Sequence, residues 1–279
     1  MTCCGLPWFW LRPHRVIIIP ADIVKMASVL PHTMVTPVPA STDEQKRSRA
    51  EAQKMADKCG VSIAHDEGQG SQGRIFSLNT CDQVMKVSVT RSAVNRELHN
   101  YSRLRAANIP CASASLSVTE ESSPNTFVTA MVMERLSFTL TAVIRACGMV
   151  TSGCHACFIP RLVQTCLLLF QQLQRHRITY IDLSPDNIMF RQVGKHTYEM
   201  VLIDPSYMIM DSPCTNENFD RLYLGYKVFA LGLIHPHCWT VCKSIGSRLL
   251  LFEPSRYEVI HWLQTVAPRA VQCVSDVYM

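Results

Sequence analysis

With 279 residues, 48% of them hydrophobic, the chain is long enough to bury one large core or two lobes. Its formal net charge of +5 favours acidic substrates or nucleotides and falls far short of a nucleic-acid-binding signature, so no direct nucleic-acid binding is expected. No apolar run approaches the roughly 20 residues of a membrane span, and the thirteen cysteines are scattered through predicted helices and strands, which suits reduced intracellular thiols better than a disulfide framework.

Residues 1–55 read as an N-terminal extension: the first ten are rich in Trp, Cys and Pro, and 31–54 is polar and Pro-containing before turning charged and helical. Within it, Lys46-Arg47-Ser48-Arg49 is either the solvated start of a helix or a nuclear-import signal. Next comes Gly68-Gln69-Gly70-Ser71-Gln72-Gly73-Arg74-Ile75. Glycines at this spacing let a backbone close over phosphates where a Cβ would obstruct it. A flexible linker or a Rossmann turn has the same spacing, but the latter needs a helix immediately afterwards. Ile75-Phe76-Ser77-Leu78 reads as a strand instead.

Lys86 stands in the middle of the β-branched run 83–89, where its ammonium needs an anion or a route to water. A helix follows over 93–104, with Val94, Leu98, Tyr101 and Leu104 on one face. Glu97 lies three residues after Val94 and four before Tyr101, so it is on that inward face or at its margin and can meet Lys86. Residues 127–136 read as a buried strand, and 160–175 as a long amphipathic helix with Pro160 in its first turn and a basic end. Cys154 and Cys157 have metal-ligand spacing but no second pair at a suitable distance.

The most informative segment is Tyr180-Ile181-Asp182-Leu183-Ser184-Pro185-Asp186-Asn187. A carboxylate followed five residues later by a carboxamide, between apolar flanks, is an arrangement by which a phosphoryl-transfer site holds a substrate hydroxyl and a metal side by side. Asp, Ser, Pro and Asn are also ordinary turn residues. Residues 188–193 and 198–203 then form a predicted hairpin around Gly194-Lys195, which brings Asn187 and Asp204 to the same open end. One carboxylate and one carboxamide suit magnesium, a hard cation that keeps water and phosphate oxygens as its other ligands.

In this order, the glycine loop, strand Lys, helix Glu, Asp-to-Asn segment and later Asp resemble the eukaryotic-type protein kinase superfamily over about residues 60–235. The resemblance implies an α+β, two-lobed fold: an N-lobe at 56–134 with an antiparallel sheet and one helix, and a mainly helical, reduced C-lobe at 135–279. It implies ATP and Mg2+ as cofactors. Gly68, Gly70, Gly73 and Ile75 would cover the nucleotide, Lys86 held by Glu97 would contact its phosphates, and Met133 would be the gatekeeper before an adenine-binding backbone at Glu134 to Leu136. Asp182 would be the catalytic base, with Asn187 and Asp204 on the metal.

Several positions depart from the family pattern. Tyr180-Ile181 replaces His-Arg, Ser184 replaces the catalytic-loop Lys, Asp204-Pro205-Ser206 replaces Asp-Phe-Gly, no Ala-Pro-Glu follows, and Lys227 precedes the apolar helix 228–234 where an Asp is usual. Without a cation at position 184 the developing charge is less well stabilised, at a cost of about ten- to a thousandfold in rate. Among such divergent kinases the chain looks most like the herpesvirus-encoded serine/threonine kinases. That likeness implies phosphorylation of viral and host nuclear proteins and a soluble location in the host nucleus or cytoplasm. The alternatives are a pseudokinase scaffold and a small-molecule phosphotransferase of the same fold.

Overall fold

The computed structural model describes residues 16–30, 42–70, 73–80, 82–88, 91–123, 126–149, 158–180, 183 and 185–209. Its larger sheet has five antiparallel strands: β2 (Ile63–Gly70), β3 (Gly73–Leu78), β4 (Gln83–Ser88), β5 (Ala114–Ser123) and β6 (Thr126–Glu134), in the order β2-β3-β4-β6-β5. Two-residue alternation divides its side chains between two cores. Phe76, Met85, Val87, Ala130 and Val132 pack with Ala52, Met55 and Ala56 of helix α2 (Thr42–Lys58). On the opposite face, Met131 and Met133 pack with Val94, Tyr101 and Leu104 of helix α3 (Arg91–Ala106).

At Gly73, β3 passes so close to β4 that a Cβ would meet the Val87 carbonyl oxygen at 2.4 Å. Glycine is therefore required there for close strand approach, apart from any part it plays over phosphates.

The remaining elements are α4 (Leu140–Met149), α5 (Phe158–Arg175) and the hairpin β8 (Ile188–Gly194) and β9 (Thr197–Leu202), to which β1 (Val16–Ile18) adds as a third strand. A short ladder, β7 (Thr179–Tyr180) with β10 (Met208–Ile209), lies beside it. Backbone hydrogen bonds sew the hairpin to the rest. Ala112 N–H donates to Leu202 O at 2.9 Å, Leu202 N–H to Pro110 O at 3.0 Å, Ser137 N–H to Phe190 O at 2.8 Å and Phe190 N–H to Phe138 O at 3.0 Å.

The N-terminal region differs from the sequence expectation of an extension over 1–55. Residues 16–30 are part of the packed fold: β1 pairs with Thr197, Tyr198 and Glu199 of β9, and helix α1 (Ala21–Val29) lies against α4. Ile17, Ile19, Ile23 and Ala27 are all buried in a core that also holds Tyr101 and Met131. Residues 42–58 form α2, which covers the back of the larger sheet, so two helices rather than one pack on that sheet. The positions of Lys46 and Arg49 are helical. The helix expected at 228–234, Lys227, and the Cys154 and Cys157 pair lie outside the described residues.

Among the described residues, Cys59, Cys111, Cys147 and Cys166 are free thiols, and no helix is long and apolar enough to cross a membrane. Burial pushes the Cys111 thiol up to about 11 and the Cys147 thiol to about 12. Both should resist alkylation in the native protein at pH 8 and react on unfolding, which mass spectrometry can follow. Ile23→Ala should lower the unfolding free energy by about 2–4 kcal/mol in urea titration, where a change in an appendage would leave it within about 0.5 kcal/mol.

Candidate active site

Lys86 is the centre of the site. Its place in β4 sets it opposite Ile75 of β3 and Met131 of β6, and Ile75 in turn lies opposite Gly68 of β2. Gly68, Ile75, Lys86 and Met131 thus form one row across the sheet, and Gly70 pairs with Gly73 at its end. The row faces α3 because Met131 belongs to the core that α3 shares.

From α3 comes Glu97, whose Oε2 accepts a hydrogen bond from Lys86 Nζ at 2.9 Å. From the end of β9 comes Asp204, whose Oδ1 accepts a second at 2.7 Å. The side chains of Lys86 and Glu97 are 8% and 2% exposed, and that of Asp204 is 24% exposed. Burial works against the Lys86 charge, but Glu97 and Asp204 outweigh it and hold its pKa above the ordinary lysine value. Burial pushes the Glu97 carboxyl up, opposed by the neighbouring ammonium. The sequence-based pairing of Lys86 with Glu97 is therefore present in the structure, and Asp204 joins it.

Asn187 closes the 3-10 turn Pro185–Asn187 and leads into β8. Its carbonyl accepts the N–H of Ile203 at 2.9 Å, which places it across the hairpin end from the residue before Asp204. The two expected metal ligands therefore stand on neighbouring strand ends. Among the described residues no group of three or more His, Cys, Asp or Glu side chains makes a closed metal cage. An open pair of oxygen donors fits magnesium better than a transition metal, because magnesium retains waters and takes phosphate oxygens. Asp182 and Ser184 lie outside the described residues.

At the edge expected to hold adenine, Met133 is buried and opposite Val84. The N–H groups of Glu134 and Arg135 are already committed, to Ser113 O at 2.9 Å and Asp82 O at 2.7 Å. An adenine would therefore draw on other groups of this stretch, which continues into half-buried Leu136. The Glu134 side chain binds Arg191 of β8 and accepts the Ser113 N–H at 2.7 Å. Arg191 Nη2 also donates to Cys111 O at 2.9 Å. Arg135 reaches Glu67, immediately before Gly68, at 2.5 Å and ties the base of the glycine loop to this edge.

Sequence reasoning treated Tyr101 as core, Tyr180 and Ser206 only as departures from the family pattern, and gave Asn100 no role. In the structure, Tyr101 OH accepts the Asp204 N–H at 3.0 Å, Asn100 Nδ2 donates to Pro205 O at 2.6 Å, and Tyr180 OH donates to Ile203 O. Ser206 Oγ lies 3.3 Å from Asp204 Oδ1 and 3.5 Å from Glu97 Oε2. A signal was available: Asn100 and Tyr101 follow Glu97 by three and four residues, so all three share one helix face.

No family model matches the sequence, and no curated protein matches it significantly. Solved structures do. The chain is similar to WaaP, solved in complex with acyl carrier protein, at a TM-score of 0.50 and 14% identity, covering 84% of this chain and 97% of that one. It is also matched by the crystal structure of the PF14_0431 kinase domain at a TM-score of 0.41 and 17% identity, over 61% of this chain and 58% of that one. The likeness to WaaP is one of fold, and the fold is kinase-like.

The buried pair yields a test by double substitution. Lys86→Met alone leaves Glu97 buried without its cation and should destabilise the protein by about 3–5 kcal/mol. Lys86→Met combined with Glu97→Leu should recover at least half of that loss in denaturant unfolding, because the deeply buried carboxylate is gone and the Asp204 carboxylate that remains is partly exposed to water.

Proposed function

We propose that the chain transfers the γ-phosphoryl group of ATP to a hydroxyl. The observation that carries this reading is the convergence on Lys86 of Glu97 from a helix and Asp204 from a strand end, with Asn187 across the hairpin end and Gly68 in the same cross-strand row as Lys86. In this reading the Lys86 ammonium contacts the nucleotide phosphates and Glu97 keeps it in place. Asn187 and Asp204 would hold magnesium, which, when bound, supplies neutralising charge to the phosphates. Asp182 would orient the acceptor hydroxyl and take its proton.

The acceptor in our first reading is a Ser or Thr hydroxyl of a protein. It follows from the glycine loop, the strand Lys and the segment Asp182-Leu183-Ser184, which look protein-kinase-like, and it includes viral and host proteins in the nucleus or cytoplasm. A small-molecule alcohol is the second reading. It is favoured by the sequence after Pro205, which contains no Ala-Pro-Glu, the part of a protein kinase that helps seat a peptide.

The test is magnesium-dependent transfer of labelled γ-phosphate from ATP to a peptide library and to a panel of small alcohols. Incorporation into Ser or Thr, reduced at least ~100-fold by Asp182→Asn and by Lys86→Met, is the expected result. Labelling of the small alcohols alone would replace the first reading by the second. Absence of transfer to either, with ATP still raising the melting temperature, would make the protein a nucleotide-binding scaffold.

A further inference from the structure

Two peptide groups of the turn around the expected metal-site Asp, 203–204 and 205–206, are held by side chains. Tyr180 OH binds the carbonyl of Ile203, Tyr101 OH takes the N–H of Asp204 at 3.0 Å, and Asn100 Nδ2 donates to the carbonyl of Pro205 at 2.6 Å. Asp204 itself has left-handed backbone angles, φ 56° and ψ 52°, and is followed by a proline. A non-glycine residue holds such a conformation only where its surroundings determine it. Asn100 and Tyr101 are both buried, and both come from α3, the helix that also supplies Glu97.

We infer that Asn100 and Tyr101 are positioning residues for the Asp204 carboxylate: they fix the turn that aims it at the cation, in place of the mobile glycine that Ser206 replaces. The inference rests on the phosphoryl-transfer reading for the identity of the cation. Neither residue touches substrate. Tyr101 acts through the Asp204 amide and also bonds the Glu97 carboxylate, and Asn100 acts through the carbonyl of Pro205. Because both lie on α3, the helix that positions Lys86 through Glu97 also positions Asp204, so ammonium and metal carboxylate are set by one rigid element. A Tyr101→Phe chain keeps the ring that fills the core and loses only the hydroxyl. Asn100→Leu keeps approximate volume and loses the donor.

Two measurements on the full-length chain test this. The first is amide hydrogen exchange of the metal-free protein, in which Tyr101→Phe should reduce protection at Asp204 about tenfold or more while strands β3, β4 and β6 keep theirs. The second is calorimetric binding of a non-hydrolysable ATP analogue at graded magnesium concentration. Both variants should raise the half-saturating magnesium concentration about 10- to 100-fold, a larger change than any loss in the metal-free affinity of the analogue. Folded variants with wild-type magnesium dependence would overturn the inference, even if their melting temperatures fell, because the side chains would then be structural only. Wild-type protein that binds the analogue no better with magnesium would refute the phosphoryl-transfer reading and the inference with it. That outcome is recognisable before any variant is made.

Discussion

Burial of the Lys86 ammonium constrains everything around it. A cation 8% exposed in a β-sheet is tolerable only with anions in contact, and two arrive from distant parts of the chain, eleven and 118 residues downstream. Glu97 is the more deeply buried partner, whereas the Asp204 side chain is 24% exposed. The three groups together carry one net negative charge, and its exposed share is at Asp204. Excess negative charge at the open side, across the hairpin end from Asn187, favours a small cation. The same three side chains that satisfy the buried charge carry the proposed phosphoryl-transfer chemistry.

A second constraint is the junction between the larger sheet and the β8–β9 hairpin. If the sheet and the hairpin shifted against each other, Lys86 and Asp204 would separate, because one is on β4 and the other follows β9. The junction is held by backbone bonds from residues 110–112 and 137–138 to the hairpin, and by Arg191, which joins Glu134, Glu199 and Cys111 O. A guanidinium suits this place because its planar fork serves several acceptors in fixed directions. The Glu134 side chain is thus a structural anchor.

The elements of the site that were legible in the sequence are those whose signal is local. Lys86 announces itself as a charge in an apolar strand, Glu97 by its place in a helical stripe, and Asn187 and Asp204 by flanking a hairpin of clear turn chemistry. What escaped notice depends on distant partners. Strand β1 has three residues, too few to read as structure, and exists because β9 supplies an edge some 180 positions later. Strand β5 was passed over because its run of Ser, Thr and Glu gives little hydrophobic alternation, and it is held by pairing with β6. Tyr101 was placed correctly in the core by its spacing, yet spacing says nothing about what a buried hydroxyl meets, and here it meets a backbone N–H.

The substitution of Phe-Gly by Pro205-Ser206 reads from the sequence as a loss, and the structure changes its meaning. A left-handed non-glycine residue before proline costs on the order of 1–3 kcal/mol, since both the Cβ and the proline ring oppose it. Each hydrogen bond from Tyr180, Tyr101 and Asn100 to the turn returns about 0.5–1.5 kcal/mol, and leaving those buried peptide groups unpaired would cost more. The bonds together match or exceed the strain, so the turn rests in one conformation. Proline further narrows the alternatives by fixing its own φ. Glycine at this place would permit the Asp to swing away from Lys86. A chain without that glycine gives up the mobility and gains an Asp204 carboxylate set by folding itself, which suits the proposed phosphotransferase, where Ile181 also stands in place of the Arg through which an activation-loop phosphate would act.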